Sequence, residues 1–381
     1  MKPIYLDYNA TTPIDDLVAA AMLPYLQTHF GNPSSMHRYG AIARQAVESA
    51  RIQVASLIGC QPGEIFFTSG GTESNNLAIR GGAFSLRGRG SHIITSAVEH
   101  PAVINVCHWL ETQGFRLTIL PVDAHGMIDF HSLEKAVQPD TILISIMHAN
   151  NEVGTLQPVQ QIAEIAHKRN ILVHTDAAQS VAKIPVRIND LGVDFLSIAG
   201  HKLYAPKGVG ALFIRQGLSI PPLVIGASQE NGIRPGTENV LEIVGLGAAC
   251  KIAGEKLEWE SKLLKHLSAL LWKELVDSLG VTSIRLNGHP LLKLPNTLNV
   301  SFLGVKASQL LEELDAEVAA SAGAACHADS VEISPVLTAM GIQEEWAKGT
   351  LRLSLGRYTT PAEIHQAARS ISIAVKKLRQ F

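Results

Sequence analysis

Between about residues 60 and 215 the chain alternates short, uninterrupted apolar runs with longer segments of helical periodicity. The short runs fall at 65–68, 92–96, 116–120, 141–147, 172–175, 195–199 and 210–214. Several lack the apolar–polar alternation of a half-exposed strand, which predicts strands buried on both faces of a mostly parallel sheet. The segment 159–169 is the helical counterpart, with Val159, Ile162, Ala163 and Ala166 on one face. Strands alternating with helices predict a layered α/β domain.

Near Gly254 the pattern changes. A charged amphipathic stretch over 255–279 is long enough to link two domains as a helix. Strand-like runs follow at 297–302 and 351–355, and a last helix starts at Pro361, with proline at or near its first position after Thr359 and Thr360. The expected organisation is a large α/β domain over 15–254 and a smaller α+β domain built from 1–14 and 255–381. A chain of 381 residues fits two domains better than one core.

Composition narrows the function classes. Apolar residues make up 46% and charged residues 17%, which suits large buried cores. The net charge is -2 and no Lys/Arg cluster is dense enough to track a phosphate backbone, so neither nucleic acid nor a membrane surface is an expected partner. The N-terminus lacks the apolar core of a secretory signal and no apolar run is long enough to span a bilayer, so a cytoplasmic location is expected. Cys60, Cys107, Cys250 and Cys326 form neither a disulfide framework nor a zinc pattern, and no His-Glu-x-x-His motif points to a metal. Three of the four read as small buried apolar residues.

Candidate chemistry gathers after the expected strands, where open α/β sheets place their ligands. Thr68-Ser69-Gly70-Gly71-Thr72-Glu73-Ser74 follows a strand and opens a helix, offering backbone amides and a positive dipole end to a phosphate. Asp176 ends one strand and Lys202 follows another, in His174-Thr175-Asp176-Ala177-Ala178-Gln179 and Ala199-Gly200-His201-Lys202. Glu99-His100-Pro101 and His148-Ala149-Asn150-Asn151-Glu152-Val153-Gly154 complete the set. Singly these have ordinary readings: a capped helix start, an N-cap aspartate, a solvated lysine. Together they describe a pyridoxal-phosphate (PLP) site, in which an acid keeps the pyridine nitrogen protonated and a lysine holds the aldehyde as a Schiff base.

With those motifs in hand, the chain resembles the cysteine desulfurases of the aminotransferase class V family, fold type I PLP enzymes. The resemblance runs from Tyr5-Leu-Asp-Tyr-Asn-Ala-Thr-Thr-Pro through Gly31-Asn-Pro-Ser-Ser and the loops above. It continues through Arg234-Pro-Gly-Thr-Glu-Asn and Gly323-Ala-Ala-Cys to Leu351-Arg-Leu-Ser-Leu-Gly-Arg. It implies a large, mostly parallel seven-stranded sheet domain beside a smaller α+β domain. It also implies roles: Lys202 bonds the cofactor and takes the substrate α-proton, Asp176 pairs with the ring nitrogen, Gln179 meets the phenolic oxygen, and His100 stacks on the ring and relays protons. Gly71, Thr72 and His201 would hold the phosphate, and Thr237 would reach it from the neighbouring subunit of a homodimer. Asn151 and Arg352 would grip the substrate carboxylate.

The same resemblance makes Cys326 the nucleophile that takes sulfur from L-cysteine as a persulfide, for a protein sulfur acceptor in iron–sulfur cluster assembly, tRNA thiolation or a related process. Three departures stand out, one being Gly226-Ala227-Ser228 in place of a commonly all-glycine run near the active-site entrance. Ala199 stands where such enzymes often carry a phosphate-binding serine, and His327 stands where threonine or serine is usual. Ala-Cys-His resembles selenocysteine lyases, the alternative reading. A plain aminotransferase would leave Cys326 without a role. A catalytically silent relative of the fold would bind no PLP at Lys202.

Overall fold

The computed structural model describes residues 2–322 and 333–380; Cys326 and His327 lie outside the described residues. Among the described residues the strands are β1 (Ile4–Tyr5), β2 (Ile65–Thr68), β3 (His92–Ser96), β4 (Arg116–Leu120), β5 (Thr141–Ser145), β6 (Leu172–Asp176), β7 (Phe195–Ala199), β8 (Gly210–Ile214), β9 (Ile284–Asn287), β10 (Thr297–Phe302), β11 (Val318–Ala319) and β12 (Thr350–Ser354).

Seven of them form the large sheet in the order β2-β8-β7-β6-β5-β3-β4. Only β8 runs antiparallel to its neighbours, so β2 to β7 all point their C-terminal ends the same way. The continuous apolar runs explain the order. β3, β5 and β7 are buried along their whole length, whereas β4 mixes polar and apolar residues and takes an edge. The interior of this unit runs from Val18 to Ile252 and packs helices on the sheet.

A second core gathers Ile4 and Leu6 with Leu264, Leu298, Leu353 and Ile371. It lies around the antiparallel sheet β12-β10-β9 and the parallel pair β1-β11. Helix Pro361–Leu378 closes it, with a capping box in which Thr360 and Glu363 satisfy each other's backbone amides and Pro361 takes the first turn.

One helix spans the expected boundary. Helix Val240–Leu279 is continuous through Gly254, so the change of character read at 254/255 is not a break in the chain path. Its glycine-rich first half is helical because other elements approach it closely. A Cβ on Gly247 would lie 2.6 Å from Cα of Ala50 in helix Arg38–Ile58, and one on Gly245 would lie 2.7 Å from Sδ of Met22. The intrinsic cost of a helical glycine, about 1 kcal/mol, is offset by that packing.

Arg357 ties both cores together. Its guanidinium meets Asp15 at 2.5 Å and Glu260 at 2.6 Å and lies over the Tyr204 ring at 4.2 Å. Both acids are buried, so removing the arginine would leave two uncompensated charges.

Candidate active site

Because β2, β3, β5, β6 and β7 are parallel, the loops that follow them meet at one end of the large sheet. There they face the small sheet across a cavity of about 940 Å³. Gly71, Thr72, His100, Asn151, Asp176, Gln179, His201, Lys202 and Arg352 all line it. Thr237 does not: it sits on an exposed loop outside this chain's cavity.

Lys202 leaves β7 through a single turn, Gly200–Lys202, and its Nζ donates to the carbonyls of Asn9 and of Ala10, the latter at 2.7 Å. Burial, with the nearby Arg352 charge, pulls its pKa from 10.5 to about 8. Asp176 ends β6, its Oδ1 accepting from the Ala178 amide at 2.9 Å and its Oδ2 from Nδ2 of Asn75 at 2.7 Å.

His100 caps helix Pro101–Thr112, accepting the Ala102 amide at Nδ1 (3.0 Å), so its ring proton resides on Nε2. Burial and Lys202 lower its pKa despite the opposing pull of Asp176. His201 bonds Thr11 Oγ1 at 3.2 Å, and burial drops its pKa to about 4, so it is neutral near pH 7.

Arg352 reaches the cavity from β12. Its Nη2 meets Asp7 at 2.7 Å and its Nη1 donates to the Asn151 carbonyl at 3.2 Å, while the buried Nε has no partner among the described residues. The Asn151 side-chain amide is also without a partner among the described residues. Ser321 exchanges backbone hydrogen bonds with Arg352, and Ser321, Ala322 and Ile333 line the same cavity.

Several residues here carried no assigned role in the sequence reading. Asn9 is bonded on all sides: its carbonyl accepts from Gln179 Nε2 (2.9 Å) and Lys202, its Oδ1 from Lys183 Nζ (3.0 Å) and Asn296, its Nδ2 donates to Thr297. Lys183 is buried, donates to Gln179 Oε1 at 2.7 Å, and is held well below the ordinary lysine pKa by burial. Glu99 accepts from Ser96 Oγ (2.6 Å) and the Met147 amide (2.9 Å), and burial raises its pKa to about 8. Lys183 lies in a connection outside any strand or helix, so local pattern marked neither it nor Asn9; both needed the tertiary fold.

A pyridine phosphate suits this cavity. The helix Gly71–Ser85 begins without a side-chain cap, leaving backbone amides for an anion. A Cβ on Gly71 would come 3.1 Å from Cβ of Ala199, so the cradle is close-fitting there. Asp176 offers a carboxylate and Lys202 an amine with lowered basicity. Cys60, Cys107 and Cys250 are a different matter: burial pushes each thiol up to about 12, so none supplies a thiolate near neutral pH.

A cavity at parallel strand ends, with its lysine on the large sheet and its arginine on the small one, is the layout of fold type I PLP enzymes. Within that class the chain belongs to the aminotransferase class-V family, whose profile matches residues 4–366. It is 48% identical over 379 residues to a protein named cysteine desulfurase IscS from Dictyoglomus turgidum, covering 99% of this chain and 96% of the relative. It is 46% identical over 381 residues to a cysteine desulfurase IscS from Methanosarcina thermophila, covering 100% of this chain and 94% of that protein. Among solved structures, a NifS-like protein superposes with a TM-score of 0.92 at 39% identity, covering 98% of this chain and 100% of the other.

Proposed function

We propose that the protein is a PLP-dependent cysteine desulfurase, converting L-cysteine to L-alanine and leaving the sulfur as a persulfide on Cys326. The observation that carries this reading is the convergence of Lys202, Asp176 and Arg352 on one cavity whose wall also includes Ala322 and Ile333, the residues flanking the Cys326 segment. The names of the relatives support the same activity.

Gly71, Thr72 and His201 would hold the cofactor phosphate, Gln179 its phenolic oxygen, and Asp176 its ring nitrogen, with His100 against the ring. When bound, the group supplies an electron sink that makes the substrate α-proton acidic. Arg352 and Asn151 bind and orient the substrate carboxylate, the guanidinium exchanging Asp7 for the ligand. Lys202 Nζ, neutral in an appreciable fraction near pH 8, takes the α-proton. His100 Nε2 faces the reaction with its proton and serves the sulfur leaving Cβ. The Cys326 thiolate attacks that sulfur: an S–S bond forms as Cβ–S breaks, and Cβ is protonated to give alanine. Substrate cysteine and the enzyme thiol balance against alanine and the enzyme persulfide.

The persulfide would pass to a protein sulfur acceptor, in iron–sulfur cluster assembly, tRNA thiolation or a related process. A homodimer would cover the exposed apolar residues Leu23, Leu26, Phe30, Met36 and Ile225 and bring the loop with Thr237 to a neighbouring site. The test is mass spectrometry of protein incubated with L-cysteine. Persulfide on Cys326 and free alanine are expected, and Cys326→Ser should abolish the persulfide while leaving cofactor attachment to Lys202 intact. Full sulfur transfer by that variant would refute the assignment. Turnover of L-selenocysteine with none of L-cysteine would replace it by selenocysteine lyase.

A further inference from the structure

Helices Gly71–Ser85 and Pro101–Thr112 follow β2 and β3, so their N-termini lie together at the cavity end of the sheet. On the first, Thr72, Asn76 and Arg80 form one stripe at helical spacing; on the second, Asn105 and Trp109 do the same. Between the stripes is a separate chamber of about 510 Å³. It opens beside the cofactor cavity, because Thr72, His100 and Asn105 line both.

Arg80 is half-buried on the first of these helices. Arg51, Arg352 and Arg357 each meet a carboxylate, whereas Arg80 has no carboxylate partner among the described residues. Its guanidinium carbon sits 4.2 Å from the centroid of the Trp109 ring, and its Nε is buried with no hydrogen-bond partner. Among the described residues no aspartate or glutamate lines the chamber. Stacking on an indole fixes the plane of the guanidinium while leaving its edge donors free. A planar fork of donors, immobilised and uncompensated, matches a carboxylate.

We propose that this chamber is a carboxylate subsite, in which Arg80 on Trp109 takes the acid group of a second molecule arriving beside the cofactor cavity. Asn76 and Asn105 flank the site and supply further polar contacts. The carboxylate comes either from a free small acid or from an acidic side chain of a polypeptide. The subsite stands apart from Arg352, which is engaged with Asp7, and does not depend on the desulfurase reading.

Calorimetric titration of the holoenzyme at constant ionic strength tests this, with glutarate as one probe and a short, amidated, glutamate-containing peptide as the other. With cofactor bound, the cradle at Gly71 and Thr72 is filled and does not compete for the probe. Saturable binding is expected, weakened at least tenfold by Arg80→Gln and partly restored by Arg80→Lys, with turnover of L-cysteine unchanged in both variants. Tighter binding of glutarate would identify a free acid as the ligand type, and tighter binding of the peptide an acidic side chain. Absence of saturable binding by either probe overturns the proposal, as does binding that survives Arg80→Gln or disappears only in Arg352→Lys.

Discussion

The backbone carbonyl of Asn9 accepts a hydrogen bond from Nζ of Lys202, joining the N-terminal segment to the lysine that leaves β7. The same carbonyl accepts from Gln179 Nε2, and the Asn9 side chain reaches Lys183, Asn296 and Thr297. The first residues are thus part of the cavity wall as well as of the small core, where Ile4 and Leu6 are buried. Local sequence places Lys202 at a strand end; the distant asparagine sets where its amine points.

Asn9→Ala keeps the carbonyl but strips the side-chain bonds, leaving Lys183 and Asn296 with unsatisfied buried donors. The expected loss is about 2–4 kcal/mol of stability, since each orphaned buried group costs roughly 1–3 kcal/mol. Urea unfolding of the cofactor-free protein measures it. A midpoint unchanged from the parent would show that the network around Asn9 contributes nothing.

Arg352→Lys retains a charge but loses the planar fork that matches a carboxylate. Charge-assisted hydrogen bonds contribute about 1.5–3 kcal/mol, so KM for L-cysteine should rise roughly 10- to 100-fold. Steady-state alanine production reports it. If kcat fell with KM constant, Arg352 would act in the chemistry and not in holding the substrate.

How much of this was legible beforehand follows from the range of the interactions. β3 and β7 were readable because burial on both faces demands unbroken apolar runs, and Asp176 and Lys202 were readable as polar residues interrupting such runs at the strand ends. Lys183 lies in a short connection after β6, where no periodicity marks a side chain that will be buried. The helix through Gly254 was legible only from 255 on, because the glycines of its first half serve close contacts with Met22 and Ala50, which local propensity does not contain. Arg80 and Trp109 were overlooked because they belong to different helices, brought together only by the sheet.

Lys202 sets a pH dependence for cofactor capture. Only its neutral amine can attack an aldehyde, and its pKa lies near 8 instead of 10.5 because it is buried beside Arg352. The rate at which cofactor-free protein takes up pyridoxal phosphate should therefore climb from pH 6.5, reach half its limit near pH 8 and level off above about 9, followed by the visible absorbance of the product. A rate still climbing steeply between pH 9 and 10 would mean that Lys202 titrates like a solvated lysine.

Glu99 makes an opposite contribution to stability. Burial raises its pKa to about 8 from 4.5, so between those values the folded protein holds a proton that the unfolded chain has lost. Stability from this group therefore falls as pH rises across that window, by at most about 1.4 kcal/mol per pH unit. His174, bonded between Ser145 and Ser197, and His148 have folded pKa values of about 3 and about 4, so below pH 6.5 their unfolded forms bind the extra proton and stability rises with pH. The two trends oppose each other between pH 4.5 and 6.5 and leave Glu99 dominant of the three between 6.5 and 8. Over that upper interval the urea midpoint of the holoenzyme should fall relative to that of Glu99→Gln, which keeps the shape and carries no charge; the buried Lys183, whose linkage has the opposite sign, is common to both. An equal slope in parent and variant would show that the buried carboxyl is already ionised at neutral pH.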